Sequence, residues 1–120
     1  MDTRCVDVML AKNKSIPSKY QKILEKVKEA MSEDSDDVIA IFRILSDPIR
    51  LRILKALEIE DLCVCVLVEI VGCRYSALSY HLKLLKDAKL VTSTREGNFL
   101  IYGLTDKGKG ILGCVHRYFE

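Results

Sequence analysis

No apolar run in this chain reaches the ~18 residues that a bilayer-spanning helix needs, so no membrane partner is expected. The N-terminus also lacks the basic-then-apolar plan of a secretory signal, and the expected location is the cytoplasm. An excess of one charge is missing too: 19 Lys and Arg stand against 17 Asp and Glu, and the net of +2 is too mild to announce nucleic-acid binding. There is no internal repeat and no low-complexity tract. No Cys-x-x-Cys beside a βαβ pattern is present, which argues against a thiol oxidoreductase, and a metal carrier with no DNA role would leave much of the pattern below unexplained. No constellation for hydrolytic or group-transfer catalysis is found, so the chain is not read as an enzyme. The cysteines are not an even set. Cys5, Cys63, Cys65, Cys73 and Cys114 form an odd group in a chain without secretory features, which leaves thiols free for metals or redox chemistry.

What is present supports a packed core, because 49% of the 120 residues are hydrophobic and 30% charged. That length holds one compact domain. Charge is unevenly spread. Acidic residues gather at Glu33, Asp34, Asp36, Asp37, Glu58, Glu60 and Asp61, whereas basic residues dominate from Arg74 onward.

Residues 1–18 have no clear period and read as a flexible N-terminal arm, with a folded domain over 19–120. Tyr20, Ile23, Leu24, Val27 and Met31 recur at helical spacing. A second helix begins near Val38, capped by Ser35 or Asp36. Asp47 before Pro48 is a strong helix start, and that helix runs to about Leu57 with Arg50 and Arg52 on its outer face. From about Cys63 to Val71 the valine-rich segment fits a helix or a strand, with length and context favouring a helix. Gly72 ends it as a C-cap, and another helix runs from about Tyr75 to Lys86 with Leu78, Leu82 and Leu85 on one stripe. Two helices joined by a short glycine-containing turn, the second bearing exposed polar and basic groups, make a helix-turn-helix. Residues 90–95 and 99–104 are β-prone around Glu96, Gly97 and Asn98 and read as a hairpin, hence a wing. Thr105 and Asp106 cap a last helix, which carries Gly108, Gly110 and Gly113.

Four blocks carry a family likeness. Leu45-Ser46-Asp47-Pro48-Ile49-Arg50-Leu51-Arg52-Ile53-Leu54 is followed by Asp61-Leu62-Cys63-Val64-Cys65-Val66-Leu67. Then come Ser79-Tyr80-His81-Leu82-Lys83-Leu84-Leu85-Lys86-Asp87-Ala88 and Arg95-Glu96-Gly97-Asn98 leading to Tyr102. In this order and spacing, over about residues 38 to 118, the chain resembles the ArsR/SmtB family of winged helix-turn-helix, metal-sensing repressors. The resemblance implies a mainly α fold with a small β-hairpin, and a homodimer in which first and last helices pair. It also implies a repressor that leaves operator DNA when an inducer binds.

Thiolates are soft donors suited to As(III), Cd(II), Pb(II) and Zn(II). Residues i and i+2 of a regular helix point about 200° apart, so Cys63 and Cys65 share one ion only where the backbone bends or at a helix end. In the family the Leu-Cys-Val-Cys block is the arsenic- or cadmium/lead-sensing site. Here Val66 replaces the usual aspartate, so a third sulfur comes from elsewhere. Cys5 is the preferred donor, since cadmium/lead sensors of the family use cysteines in an N-terminal arm. As(III) is the favoured inducer. Cys73 sits where the family has an apolar residue and reads as a small hydrophobe. Cys114 reads as a core or interface residue, or else as an auxiliary or redox thiol. Asp106 and His116 lack the companion histidine of the family's zinc site, which is rejected.

For DNA, phosphate contacts position and base-edge contacts specify. Arg74, Tyr75, Ser76, Ser79 and Tyr80 offer small polar and basic groups at the start of the recognition helix, with Arg74 placed for guanine or phosphate. Lys83, Lys86, Arg95 and Asn98 are the expected backbone contacts. His81 reads as an internal hydrogen-bonding residue or a DNA contact. The alternative to metal sensing is thiol oxidation among Cys63, Cys65 and Cys114 acting on the same DNA-binding fold.

Overall fold

The structure, a computed structural model, describes residues 16–120. The expected arm and Cys5 lie almost wholly outside the described residues. The chain divides into two compact units, one ending at Ser35 and the other spanning Asp36–Glu120. Within the first, a 3-10 turn at Ser18–Tyr20 leads into Gln21–Met31 (α1), whose residues are all exposed or half-exposed.

The second unit runs Asp36–Leu45 (α2), Pro48–Ile59 (α3), Leu62–Cys63 (β1), Val64–Val71 (α4), Tyr75–Asp87 (α5), Val91–Glu96 (β2), Phe99–Leu104 (β3) and Asp106–Phe119 (α6). Asp47 starts α3 as the sequence predicts: its Oδ1 accepts from the amides of Ile49 at 2.8 Å and Arg50 at 3.2 Å, and Pro48 occupies the first helical turn. Burial pushes the Asp47 carboxyl up, but the amides of Arg50 and Ile49 and the Arg50 charge outweigh it and hold the group below its ordinary range. Gly72 ends α4 with φ +72°, the left-handed conformation that a residue without Cβ adopts freely.

The end of α5 is less predictable. Ala88 is the C-cap and Lys89 takes φ +62°; the Lys89 amide donates to Lys86 O and the Leu90 amide to Leu85 O. This is a Schellman motif with lysine in the position glycine usually fills. Leu90 and Leu85, both fully buried, anchor it.

The sheet has the order β1-β3-β2, all antiparallel. The β2–β3 hairpin turns at Gly97 and Asn98, with Gly97 at φ +60°. The third strand was not expected. Leu62 pairs with Tyr102 and Cys63 with Ile101, so the helix predicted from about Cys63 starts one residue later and Cys63 itself is a rung of the sheet. The core gathers Ile53, Leu54 and Leu57 of α3, Leu67 and Val71 of α4, Leu78, Leu82 and Leu85 of α5, and Leu112 of α6 against the wing.

Arg50 corrects another expectation. It does not leave through the outer face of α3 but turns back, its Nε donating to Ile44 O at 2.9 Å and Nη2 to Arg43 O at 3.3 Å. Those are end-of-helix carbonyls of α2 with no intrahelical partner of their own, so the guanidinium joins α2 to α3. Arg52 is exposed as predicted.

Candidate nucleic-acid interface and thiol site

The helix-turn-helix is formed by α4 and α5, packed through Leu67, Val71, Leu78 and Leu82. Burying that stripe leaves the start of α5 outside. Arg74, Tyr75, Ser76, Ser79, Tyr80, Lys83 and Lys86 are all exposed, as are Arg95 and Asn98 on the wing. Tyr75 and Tyr80 expose 65% and 60% of their surface, a large aromatic area for a monomer to leave in water. Lys86 Nζ donates to Ser93 Oγ at 2.8 Å and so ties α5 to strand β2. His81 is buried, edge-on to Tyr80, with Nδ1 3.4 Å from Arg50 Nη1. Its internal role among the two read from the sequence is therefore the one observed.

Cys63 caps α4 in an extended conformation (φ −74°, ψ 157°) and Cys65 lies in its first turn. The extended residue cancels the divergence that a regular helix imposes on positions i and i+2. The two sulfurs are joined as a disulfide, with Cα atoms 5.4 Å apart. Cys63 is half-buried and Cys65 exposed.

Both cysteines line an open cleft of about 520 Å³. Val64 and Val68 of α4, Tyr75 at the start of α5 and Arg95, Asn98 and Phe99 of the wing line it with them. Three residues expected at DNA, Tyr75, Arg95 and Asn98, thus border the same space as the cysteine pair. That proximity is invisible in the sequence, since it depends on β1 pairing with β3.

The other two cysteines among the described residues are free thiols. Cys73 packs half-buried against the core, in keeping with its reading as a small hydrophobe, while Cys114 is exposed on α6. No group of three or more His, Cys, Asp or Glu side chains placed to hold a metal occurs among the described residues.

His116 has a different partnership that sequence reading missed. Its Nε2 stands 2.7 Å from Glu58 Oε1 of α3 and its Nδ1 against Glu120, which also pairs with Lys55. Both ring nitrogens face carboxylates, so both are donors, as only the imidazolium allows. The hydrogen bond to Glu58, then that to Glu120, raises the His116 pKa above its ordinary 6.5; the Lys55 and His116 contacts lower that of Glu120. A pKa raised on folding contributes stability in full below the ordinary histidine value and loses it as pH rises through the folded-state value. Wild type should therefore lose a small part of its thermal stability above about pH 6.5, and His116→Gln should not. Melting curves across that range, in which the two proteins keep a constant separation, would remove the bridge from consideration.

No helix among the described residues is long and apolar enough to cross a membrane. A family model described as bacterial regulatory protein, arsR family, matches residues 47–93, which span α3, α4, α5 and the start of the wing. The chain is 32% identical over 87 residues to a protein of Staphylococcus aureus named cadmium resistance transcriptional regulatory protein CadC homolog, covering 72% of each chain. It is 43% identical over 82 residues to the arsenical resistance operon repressor of Bacillus subtilis (strain 168), covering 63% of this chain and 78% of that one. Among solved structures, reduced HlyU from Vibrio cholerae N16961 superposes with a TM-score of 0.67 at 28% identity, covering 77% of this chain and 99% of the other.

Proposed function

The chain belongs to the ArsR family of bacterial winged-helix regulators, DNA-binding transcriptional repressors and not enzymes, and from that premise we propose that it is a metal(loid)-responsive repressor. It binds operator DNA as a homodimer in the cytoplasm and is released when a soft ion, As(III) foremost, binds the thiolates of Cys63 and Cys65. Cd(II), Pb(II) and Zn(II) are the other candidates. The observation that carries this reading is the position of the two sulfurs on a cleft bounded by the recognition helix and the wing.

The donor chemistry fits. Reduced, the pair offers two soft thiolates from residues whose Cα atoms are 5.4 Å apart, and Cys5 is the proposed third sulfur. When bound, the ion supplies sulfur bonds that hold the two side chains and the backbone between them in one arrangement. The chain does the rest. Cys63 is paired with Ile101 of β3, so a change in its backbone is passed along the ladder to the wing. Cys65 is in the helix that packs beneath α5. The nine exposed residues named above are the proposed DNA contacts, and a coupling of 1 to 3 kcal/mol between the sites shifts occupancy about 5- to 150-fold. Dimerisation through the first and last helices is supported by exposed apolar residues on each, Ile23, Val27 and Met31 of α1 and Tyr118 and Phe119 of α6.

Operator-binding titrations of wild type and of Cys63→Ser/Cys65→Ser against As(III), Sb(III), Cd(II), Pb(II) and Zn(II) test the reading. Wild type should release DNA with at least one ion and the double variant with none. Undiminished release of the double variant by every ion would eliminate the assignment.

The disulfide between Cys63 and Cys65 favours one second reading, in which oxidation of the pair is itself the signal. Diamide, which takes two electrons and two protons from the dithiol, should then release the operator in the absence of metal.

A further inference from the structure

We infer that Tyr80 is the residue of α5 that selects an operator base, and that it does so by laying its ring against the C5 methyl group of a thymine in the major groove. This inference rests on the DNA face proposed above. It begins from the geometry of one helix. Leu78, His81, Leu82 and Leu85 are buried, and at about 100° per residue the line opposite them runs through Ser76, Tyr80 and Lys83. All three are exposed. Tyr80 therefore stands on the outermost line of the helix, one turn past a serine and one turn before a lysine.

Its surroundings leave the ring open at the tip and braced at the root. Ser76 and Ser79 are too small to cover it, and 60% of the residue stays exposed. On the inner side the ring meets that of His81 edge-on, with centroids 5.5 Å apart and planes at 62°. His81 is buried, with Nδ1 3.4 Å from Arg50 Nη1, and Arg50 is itself fastened to the carbonyls of Ile44 and Arg43. A side chain braced in this way has less freedom to lose when it meets a ligand. Tyr75, the other exposed tyrosine of α5, lies about 140° away around the helix. It borders the cleft between α4 and the wing and does not share this line.

The chemistry of the groove names the base. Adenine, guanine and cytosine present only hydrogen-bond donors and acceptors there, whereas thymine adds an apolar group, its C5 methyl. An aromatic ring pressed on donors and acceptors strips them of water and returns no hydrogen bond. Against a methyl group, both surfaces gain by leaving water. The rest of the line discriminates less: a serine hydroxyl suits several bases, and a lysine at this position suits a phosphate. The hydroxyl at the far end of the Tyr80 ring has no part in the methyl contact, which separates this role from a hydrogen bond to phosphate.

Random-sequence duplexes long enough for two half-sites are selected on the full-length protein, kept reduced. Each thymine of the winning duplex is then replaced singly by deoxyuridine, which lacks the methyl and keeps the pairing. One thymine in each half-site should carry a penalty of about fourfold on replacement, and the two together about fifteenfold. Tyr80→Ala should bind the thymine and uracil duplexes alike, with the wild-type salt slope and melting temperature, and Tyr80→Phe should keep the whole penalty. Because the comparison is a double-variant cycle, any effect of uracil on duplex shape cancels. A penalty equal in wild type and Tyr80→Ala at every thymine overturns the assignment, as does a winning duplex with no thymine in its half-sites. So does a Tyr80→Phe protein that loses affinity equally on thymine and uracil duplexes, the mark of a hydroxyl–phosphate bond. Failure to select any duplex, or binding undiminished in Arg74→Ala/Lys83→Ala, overturns instead the placement of α5 on DNA on which it rests.

Discussion

Replacing Gly108 with alanine should lower the melting temperature by roughly 10–20 °C. An ideal Cβ at this position falls 2.2 Å from the carbonyl oxygen of Leu90 and 3.3 Å from Leu104 Cδ2. The obstacle is backbone, and it is pinned on both sides. Leu90 O accepts from the Thr105 amide at 3.1 Å, and the Leu90 amide donates to Leu85 O at 3.0 Å as part of the motif that ends α5. Moving Leu90 away breaks the join between the recognition helix and the wing; moving α6 away loses its cap, in which Thr105 Oγ1 accepts from the Gly108 amide at 3.1 Å. Either route costs about 3 kcal/mol, the upper part of the usual range for overpacking. Gly110→Ala is the matching control, because its Cβ meets nothing within 4 Å and a helical alanine is favoured by up to about 1 kcal/mol. Equal melting temperatures for Gly108→Ala and wild type would show that the close approach is not a feature of the folded protein.

Operator affinity should fall by roughly 10³- to 10⁵-fold between about 50 and 200 mM salt. Arg74, Lys83, Lys86 and Arg95 are all exposed on the proposed DNA face. Doubled by the proposed homodimer they would neutralise about eight phosphates, which gives a log–log salt slope of about −7. Arg95→Ala should make that slope shallower by about 2, one phosphate from each protomer, and should weaken binding to different sequences alike. Arg74→Ala distinguishes the two readings of that residue. A guanine contact predicts a loss of about 1–3 kcal/mol confined to operators with that base, and a phosphate contact a loss common to all sequences. A wild-type slope near −2 would mean that most of these cations face solvent when DNA is bound.

Local chemistry made much of this fold legible in the sequence. Asp47 and Pro48 announce a helix start because one side-chain oxygen and one fixed φ act within four residues, and Gly72 and Gly97 mark left-handed backbone for an equally local reason. The leucine stripe of α5 followed from its period, which also left the proposed DNA contacts outside. What escaped was set by residues distant in the chain. Leu62 and Cys63 form too short a strand to show alternation, and only Tyr102 and Ile101, some forty positions later, make them one. Arg50 reads as a surface residue until the carbonyls of Arg43 and Ile44 are placed beside it. The same holds for Lys89, whose positive φ follows from the burial of Leu85 and Leu90 and not from its own preference. At the candidate site the pairing of Cys63 with Cys65 was readable from spacing and a helix start, whereas the cleft that they share with Tyr75 and Phe99 was not.

The two-rung ladder through Cys63 has a bearing on how such a protein can diverge. Cys63, the proposed inducer ligand, is also the β1 residue paired with Ile101 of β3, so on that proposal inducer preference and groove fit would not be independent traits. A descendant that recruited a larger or differently shaped inducer there would then have to compensate in β3 or move its donors to another part of the chain.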